Sequence, residues 1–132
     1  MLYLAGHVGR GPISVAEIAD AERIPRKFLE AILLDLKRTG VLQSKKGQGG
    51  GYVLGRKPAE ITVGQVIRTL DGPLALVPCV SQTAYARCAD CVDEATCGVR
   101  LAMKQVRDAT ARILDHTSLT ALNARSRSAR PR

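Results

Sequence analysis

Apolar positions change period along this chain, and the changes mark out its elements. In PISVAEIAD, residues 12–20, Ile13 and Ile18 flank Ser14 and Glu17. Ser and Glu three residues apart form a capping box, each side chain accepting the other's free backbone N–H, and the two Ile occupy the staple positions around it. The pattern predicts a helix to about Ala21, then a turn, Glu22-Arg23-Ile24, then a second helix with Pro25 at its first position. Phe28, Leu29, Ile32, Leu33 and Leu36 recur at helical spacing and are expected as the buried face of that second helix, which Gly40 stops. Two amphipathic helices joined by a tight turn match a helix-turn-helix, and the helices alone fit an ordinary helical hairpin equally well.

The next segment breaks that tie. VLQSKKGQGGGYVLGRKP reads as strand, glycine turn and strand, with Val41, Leu42, Tyr52, Val53 and Leu54 at strand-favouring positions. Gly47, Gly49, Gly50 and Gly51 permit an irregular hairpin tip, and Lys45 and Lys46 stand just before it. A helix-turn-helix followed by a basic hairpin is a winged helix, which puts its second helix in the major groove of DNA and its wing along the backbone or in the minor groove. The glycines are not a nucleotide cradle. The Rossmann pattern needs glycine where Tyr52 stands, a Walker loop needs Gly-Lys-Ser/Thr, and both need a following helix where this chain has a strand.

Helical period returns in EITVGQVIRTLDGP. Thr62 and Gln65 form a second capping box with Ile61 and Val66 at the staple positions, and Gly72-Pro73 ends the helix. Residues 79–98 show little apolar periodicity and read as a loop. From 99 to 115, Val99, Met103, Val106, Thr110 and Ile113 recur at alternating four- and three-residue steps, with Ala102 and Ala109 beside the stripe. Such a face either packs within the chain or forms a dimer seam; the small winged domain offers little surface to cover it, so the dimer seam is the expectation. The end of the chain, ALNARSRSARPR, is polar and basic and is expected to be disordered.

Composition agrees. Of 132 residues, 45% are hydrophobic and only 3% aromatic, so the core is aliphatic. The net charge is +8 and unevenly placed: residues 22–57 hold nine basic side chains against three acids, and the last twelve residues hold four Arg and no acid. A basic block coinciding with a helix-turn-helix and wing points to double-stranded DNA as the partner. Arg26, Lys27 and Glu30, near the start of the second helix, are the candidates for reading bases; Lys45, Lys46 and Gln48 are the wing candidates. No apolar run reaches the roughly 20 residues of a membrane span, and the opening MLYLAGHVG lacks the basic leader of a signal peptide, so a cytoplasmic location is expected. His7 and His116 have no nucleophile or carboxylate constellation, and no enzyme activity is expected.

All four cysteines, Cys79, Cys88, Cys91 and Cys97, fall within nineteen residues. In a reducing compartment, clustered thiols suggest metal or redox chemistry before disulfides. Thiolates are soft ligands, suited to an iron–sulfur cluster or to zinc, and a metal-free thiol switch uses the same residues. Arg87 and Arg100 nearby are expected to favour the thiolate form.

The order of capping-box helix, basic second helix, GQGGGYVL wing, ITVGQVIRTLDGP, cysteine loop and long VRDAT-containing helix resembles the Rrf-two (Rrf2) family of bacterial winged-helix transcription regulators, over nearly the whole chain up to about residue 122. The resemblance implies a mainly α fold with a small β-hairpin wing and a long dimerisation helix, and a homodimer that binds a DNA operator. It implies residues 1–58 as the winged domain, 59–78 as a connecting helix and turn, 79–98 as a cluster loop, 99–119 as the dimerisation helix and 120–132 as the tail. It also implies that the domain's first helix is truncated at Met1. Several members hold an iron–sulfur cluster, of the 2Fe–2S or 4Fe–4S type, through three cysteines of this loop and a variable fourth ligand. The three fall on Cys79, Cys91 and Cys97. Cys88 departs from the pattern and reads as a fourth ligand, a substitute for Cys91 or a bystander. Where some members carry a His ligand, this chain has Arg100.

Overall fold

The computed structural model describes residues 1–129. Among them lie six α-helices and one two-stranded sheet: α1 Leu2–Gly6, α2 Val15–Glu22, α3 Arg26–Arg38, β1 Leu42–Lys45, β2 Gly51–Leu54, α4 Val63–Leu70, α5 Gly98–Leu114 and α6 Leu119–Ser128. No helix among the described residues is long and apolar enough to cross a membrane.

Local chemistry sets the boundaries of the helix-turn-helix. Ser14 Oγ accepts the Glu17 N–H at 3.2 Å, which starts α2. Only half of the expected box forms. The Glu17 carboxylate turns instead to the Tyr3 hydroxyl at 2.8 Å and to the Arg10 guanidinium, because a charged partner outcompetes a backbone N–H; the result is a tie from α1 to α2. Helix α2 runs one residue past Ala21, and Arg23 takes the left-handed conformation (φ 54°) that turns the chain. Pro25 is the N-cap of α3 rather than its first residue, with extended ψ of 127°.

Leu29, Leu33 and Leu36 form the inward face of α3, with Ile32 half-buried beside them. Phe28 does not join them, contrary to the sequence pattern: it is 63% exposed. At about 100° per residue, Phe28 falls roughly 100° from the centre of the face that Leu29, Leu33 and Leu36 share, at the edge of the outward side.

Strands β1 and β2 pair antiparallel, Leu42 against Leu54 through Lys45 against Gly51, as expected for the wing. The wing is anchored by a bridge to the segment before α2, in which Ile13 and Tyr52 exchange N–H···O bonds of 3.0 and 2.8 Å. Here the glycine run has a packing reason, since a Cβ at Gly51 would collide with the Ile13 carbonyl. Leu4, Ile13, Ile18, Leu36, Leu42 and Ile61 are the centre of one aliphatic core.

The second capping box is complete: Gln65 N–H donates to Thr62 Oγ1 and Thr62 N–H to Gln65 Oε1, both at 3.2 Å. Its start is clasped by the turn between α5 and α6, through Val63 N–H to Thr117 O and Leu119 N–H to Ile61 O, each 2.9 Å. Arg68 on α4 grips Asp115 through two nitrogens, at 2.5 and 2.9 Å.

The expected disordered tail is a helix as far as Ser128; residues 130–132 of that expectation lie outside the described residues. Ser118 caps α6 by accepting the Ala121 N–H at 3.1 Å, and Leu119 is buried to 2%. The helix packs on α1 and on the Pro58–Glu60 turn, so its stability comes from docking that a local reading of Ser and Arg misses. The long helix thus ends at Leu114, short of the expected 119.

Candidate reading helix and cysteine cavity

Arg26, Lys27 and Glu30 are all exposed on the first turns of α3. Arg26 Nε donates to Glu30 Oε1 at 3.3 Å, an open i,i+4 pair with side chains 66% and 50% exposed. Such a pair is worth a few tenths of a kcal/mol and parts readily for a better partner, roughly 0.3–0.5. Phe28 stands exposed between them in sequence. On the wing, Lys45 ends β1, while Lys46 and Gln48 sit in the tip, flanking Gly47 (φ 97°), whose left-handed backbone carries the turn. All three are exposed.

The second feature surrounds the start of α5. All four thiols are free and line one cavity of about 440 Å³, together with Pro78, Val99 and Arg100. Cys79, Cys91 and Cys97 are half-buried; Cys88 is exposed. Cys79 lies in a short 3₁₀ turn, Pro78–Val80. Cys97 is the N-cap of α5 and accepts the Arg100 N–H at its Sγ (3.4 Å), at the positive end of the helix dipole. Cys88 and Cys91 share a turn in which Cys91 N–H donates to Cys88 O at 3.2 Å.

Arginines fasten this loop through its backbone. Arg100 Nε donates to Cys79 O (3.3 Å), Arg87 to Cys91 O (3.3 Å), and Arg107 to Val80 O (2.6 Å). Tyr85 and Glu94 join across the loop at 2.6 Å, and Asp93 accepts from Ala95 N–H and Thr96 Oγ1. At Cys91 Arg87 favours the thiolate as expected but is outweighed. Burial, then the neighbouring Cys97, Cys88 and Glu94, push its thiol above the ordinary value, and the opposing pull of Arg87 is the smallest contribution.

The donor set is four thiols lining one cavity, soft ligands open to an iron–sulfur cluster or to zinc. A single zinc needs its ligands within about 2.3 Å of one point. Among the described residues no three His, Cys, Asp or Glu side chains gather to hold a single ion. A cluster spreads its thiolates over several irons and needs room, which a cavity of about 440 Å³ supplies.

Helix α5, meanwhile, buries none of its 17 residues. Val99, Val106 and Ile113 are 67%, 40% and 62% exposed, whereas Met103 and Thr110 are half-buried. Sequence reasoning missed the exposure of Phe28, the Arg107 tether and the Arg68–Asp115 clasp. The first was visible as a conflict between two adjacent apolar residues; the other two join residues far apart in sequence and left no local signal.

Residues 1–125 match the family model described as "Rrf2: Iron-dependent Transcriptional regulator". The chain belongs to the Rrf2 family. It is 43% identical over 94 residues to a putative HTH-type transcriptional regulator, rrf2-like, of Rhodobacter capsulatus, covering 71% of this chain and 63% of that one. It is 39% identical over 79 residues to the HTH-type transcriptional regulator IscR of Aliivibrio salmonicida, covering 60% and 47%. The chain therefore spans less than two thirds of the length of these relatives. The structure of CymR, the global cysteine regulator of B. subtilis, superposes with a TM-score of 0.74 at 33% identity, over 93% of this chain and 86% of that one. The winged architecture is that of this family, whose relatives named above are transcriptional regulators and not enzymes.

Proposed function

We propose that this chain is a homodimeric, cytoplasmic, DNA-binding transcriptional regulator whose operator affinity is set by an iron–sulfur cluster in the cysteine cavity. The observation that carries the reading is the single cavity lined by all four thiols at the foot of α5. Cys79, Cys91 and Cys97, the half-buried three, hold the cluster, and exposed Cys88 stands beside it. When bound, the cluster supplies redox-, nitric oxide- and iron-sensitive Fe–S bonds. The chain's own residues turn that into a signal. Arg100 and Arg107 tie the loop to α5, so loop order fixes the helix that carries the dimer stripe Val99, Met103, Val106, Thr110 and Ile113. At its other end α5 reaches α4, which packs on α3, through Asp115 and Arg68. The orientation of α5 thereby sets the spacing of two α3 helices on two operator half-sites. Arg26, Lys27 and Glu30 read bases, while Lys45, Lys46 and Gln48 contact the backbone or minor groove.

Anaerobic purification tests the reading. The protein should be brown, with iron and acid-labile sulfide in similar amounts. Cys79→Ala, Cys91→Ala and Cys97→Ala should each lose most of the colour, and Cys88→Ala much less. Stoichiometric zinc without sulfide would end it. A thiol switch is the second reading, favoured by the exposed Cys88 three residues from Cys91. It predicts colourless protein in which peroxide joins that pair and changes DNA affinity. A scaffold that handles clusters without DNA predicts no salt-dependent shift of any duplex.

A further inference from the structure

Phe28 is the chain's single phenylalanine, and it is 63% exposed on a helix whose Leu29, Leu33 and Leu36 are at most 4% exposed. Leaving that ring in water forgoes most of the stabilisation its burial would bring. The helix geometry shows what it faces. With 29, 33 and 36 inward, a period of 3.6 residues turns Lys27, Ala31 and Leu34 outward. All three are exposed, Leu34 to 42%. Phe28 lies at one edge of that strip and Glu30 at the other, and both are exposed. Ala31, small and central, lets the helix axis come close to whatever the strip meets.

The strip therefore carries a cation, a carboxylate and an aromatic ring. The major groove presents three matching features: the guanine acceptors, the cytosine amino donor and the thymine C5 methyl group, which is its apolar feature. We infer that Phe28 is a base-reading residue that packs on a thymine C5 methyl group in each operator half-site. This rests on the reading of the chain as a DNA-binding regulator. The surroundings favour DNA over a protein partner for this ring. Arg26 and Lys27 adjoin it, and residues 22–57 hold nine basic side chains against three acids, whereas the apolar stripe without a partner lies on α5.

Duplexes selected from a random pool by the full-length protein provide the probe. Each thymine of a selected duplex is replaced in turn by deoxyuracil, which pairs identically and lacks only the methyl group. At one position per half-site the parent should weaken by about fourfold, the loss of one buried methyl group. Phe28→Ala should bind the thymine duplex about tenfold more weakly, in the range of a single mismatched base pair, and should no longer distinguish thymine from uracil there. Its melting and sedimentation should match the parent's. The assignment is overturned if no uracil position affects the parent, if Phe28→Ala keeps the parent's discrimination, or if Phe28→Ala melts like a core deletion. Loss of self-association with DNA reading intact would also overturn it, and would assign the ring to a protein contact. If the parent selects no duplex, the regulator reading falls as well; if it selects duplexes but ignores the uracil scan, only Phe28 is misassigned.

Discussion

The winged domain and helix α5 belong to one chain yet stand in opposite relation to water. Leu4, Ile13, Ile18, Leu36, Leu42 and Ile61 close one core, joined from the far end of the sequence by Leu119. Helix α5, with 17 residues, buries none of them and exposes Val99, Leu101, Val106 and Ile113. A solitary helix gains little from propensity; packing of an apolar face is what holds it. That core closes with help from Ile61 and Leu119 outside the wing and its helices, while α5 leaves an apolar stripe exposed. The cysteine loop shares the second condition. It buries only Val80 and Ser81 and is held by arginines bonded to its backbone. The winged half is closed around an aliphatic core; the other half exposes an apolar stripe and a loop with four free thiols.

The sharpest way to break the contrast is to delete a methyl-rich side chain on each side of it. Leu36 is 1% exposed, and Leu36→Ala should lower unfolding free energy by about 4 kcal/mol, read from urea melts. An equal truncation on α5, Ile113→Ala, should leave monomer stability nearly unchanged, because Ile113 is 62% exposed. Comparable losses at both sites would erase the distinction.

A charge in the α5 stripe sharpens it. Val106→Glu would press two carboxylates together at the proposed seam, at a cost of about 3 kcal/mol unless the copies separate. Sedimentation should show monomers and operator affinity should fall, while the winged domain melts as before. A monomeric parent would remove the seam altogether.

The same division governs what the sequence disclosed. The Thr62–Gln65 box was legible because both bonds lie within four residues, and Leu29, Leu33 and Leu36 because a helix repeats its inward face. The Ser14–Glu17 box was legible only by half, since Arg10 and Tyr3 captured the carboxylate. Phe28 misled because periodicity counts apolar residues without deciding which of two neighbours faces inward. Helix α6 was hidden because Leu119 docks onto elements more than fifty residues earlier in the chain, near Ile61 and α1. At the cysteine site the spacing was legible, but the exposure of Cys88 against the half-burial of the other three depends on how the loop wraps Arg100 and Arg107.

On the DNA side the wing tip offers a smaller effect. Lys45→Ala with Lys46→Ala removes two exposed cations that would each displace a condensed counterion. The slope of log affinity against log salt should flatten by about 1.8, with affinity at moderate salt down about tenfold for all duplexes alike. Parent-like binding would remove the wing from the interface.

The smallest effect lies where the two regions meet. Arg68 holds Asp115 from across the chain, and Gly64 leaves the space for it, since a Cβ there would collide with the carboxylate. The hydrogen bonds to Arg68 hold the Asp115 carboxyl below its ordinary value, with burial opposing. A carboxylate whose titration is lowered on folding stabilises the fold above its unfolded value, near about 3.9, and that contribution disappears as pH falls through the lower folded value. The side chains are 30% and 35% exposed, so solvent screening reduces the contribution to about 1 kcal/mol or less. Asp115→Asn should therefore lower stability by that amount at pH 7, and the difference should vanish as pH falls through the lowered folded value, where the parent has lost its own carboxylate. Because the clasp joins α5 to α4, the same variant should loosen the proposed coupling between the cysteine cavity and α3. The affinity difference between cluster-loaded and cluster-free protein should shrink in Asp115→Asn while iron content stays that of the parent. Full retention of that difference would mean that the signal reaches α3 by a route other than this pair.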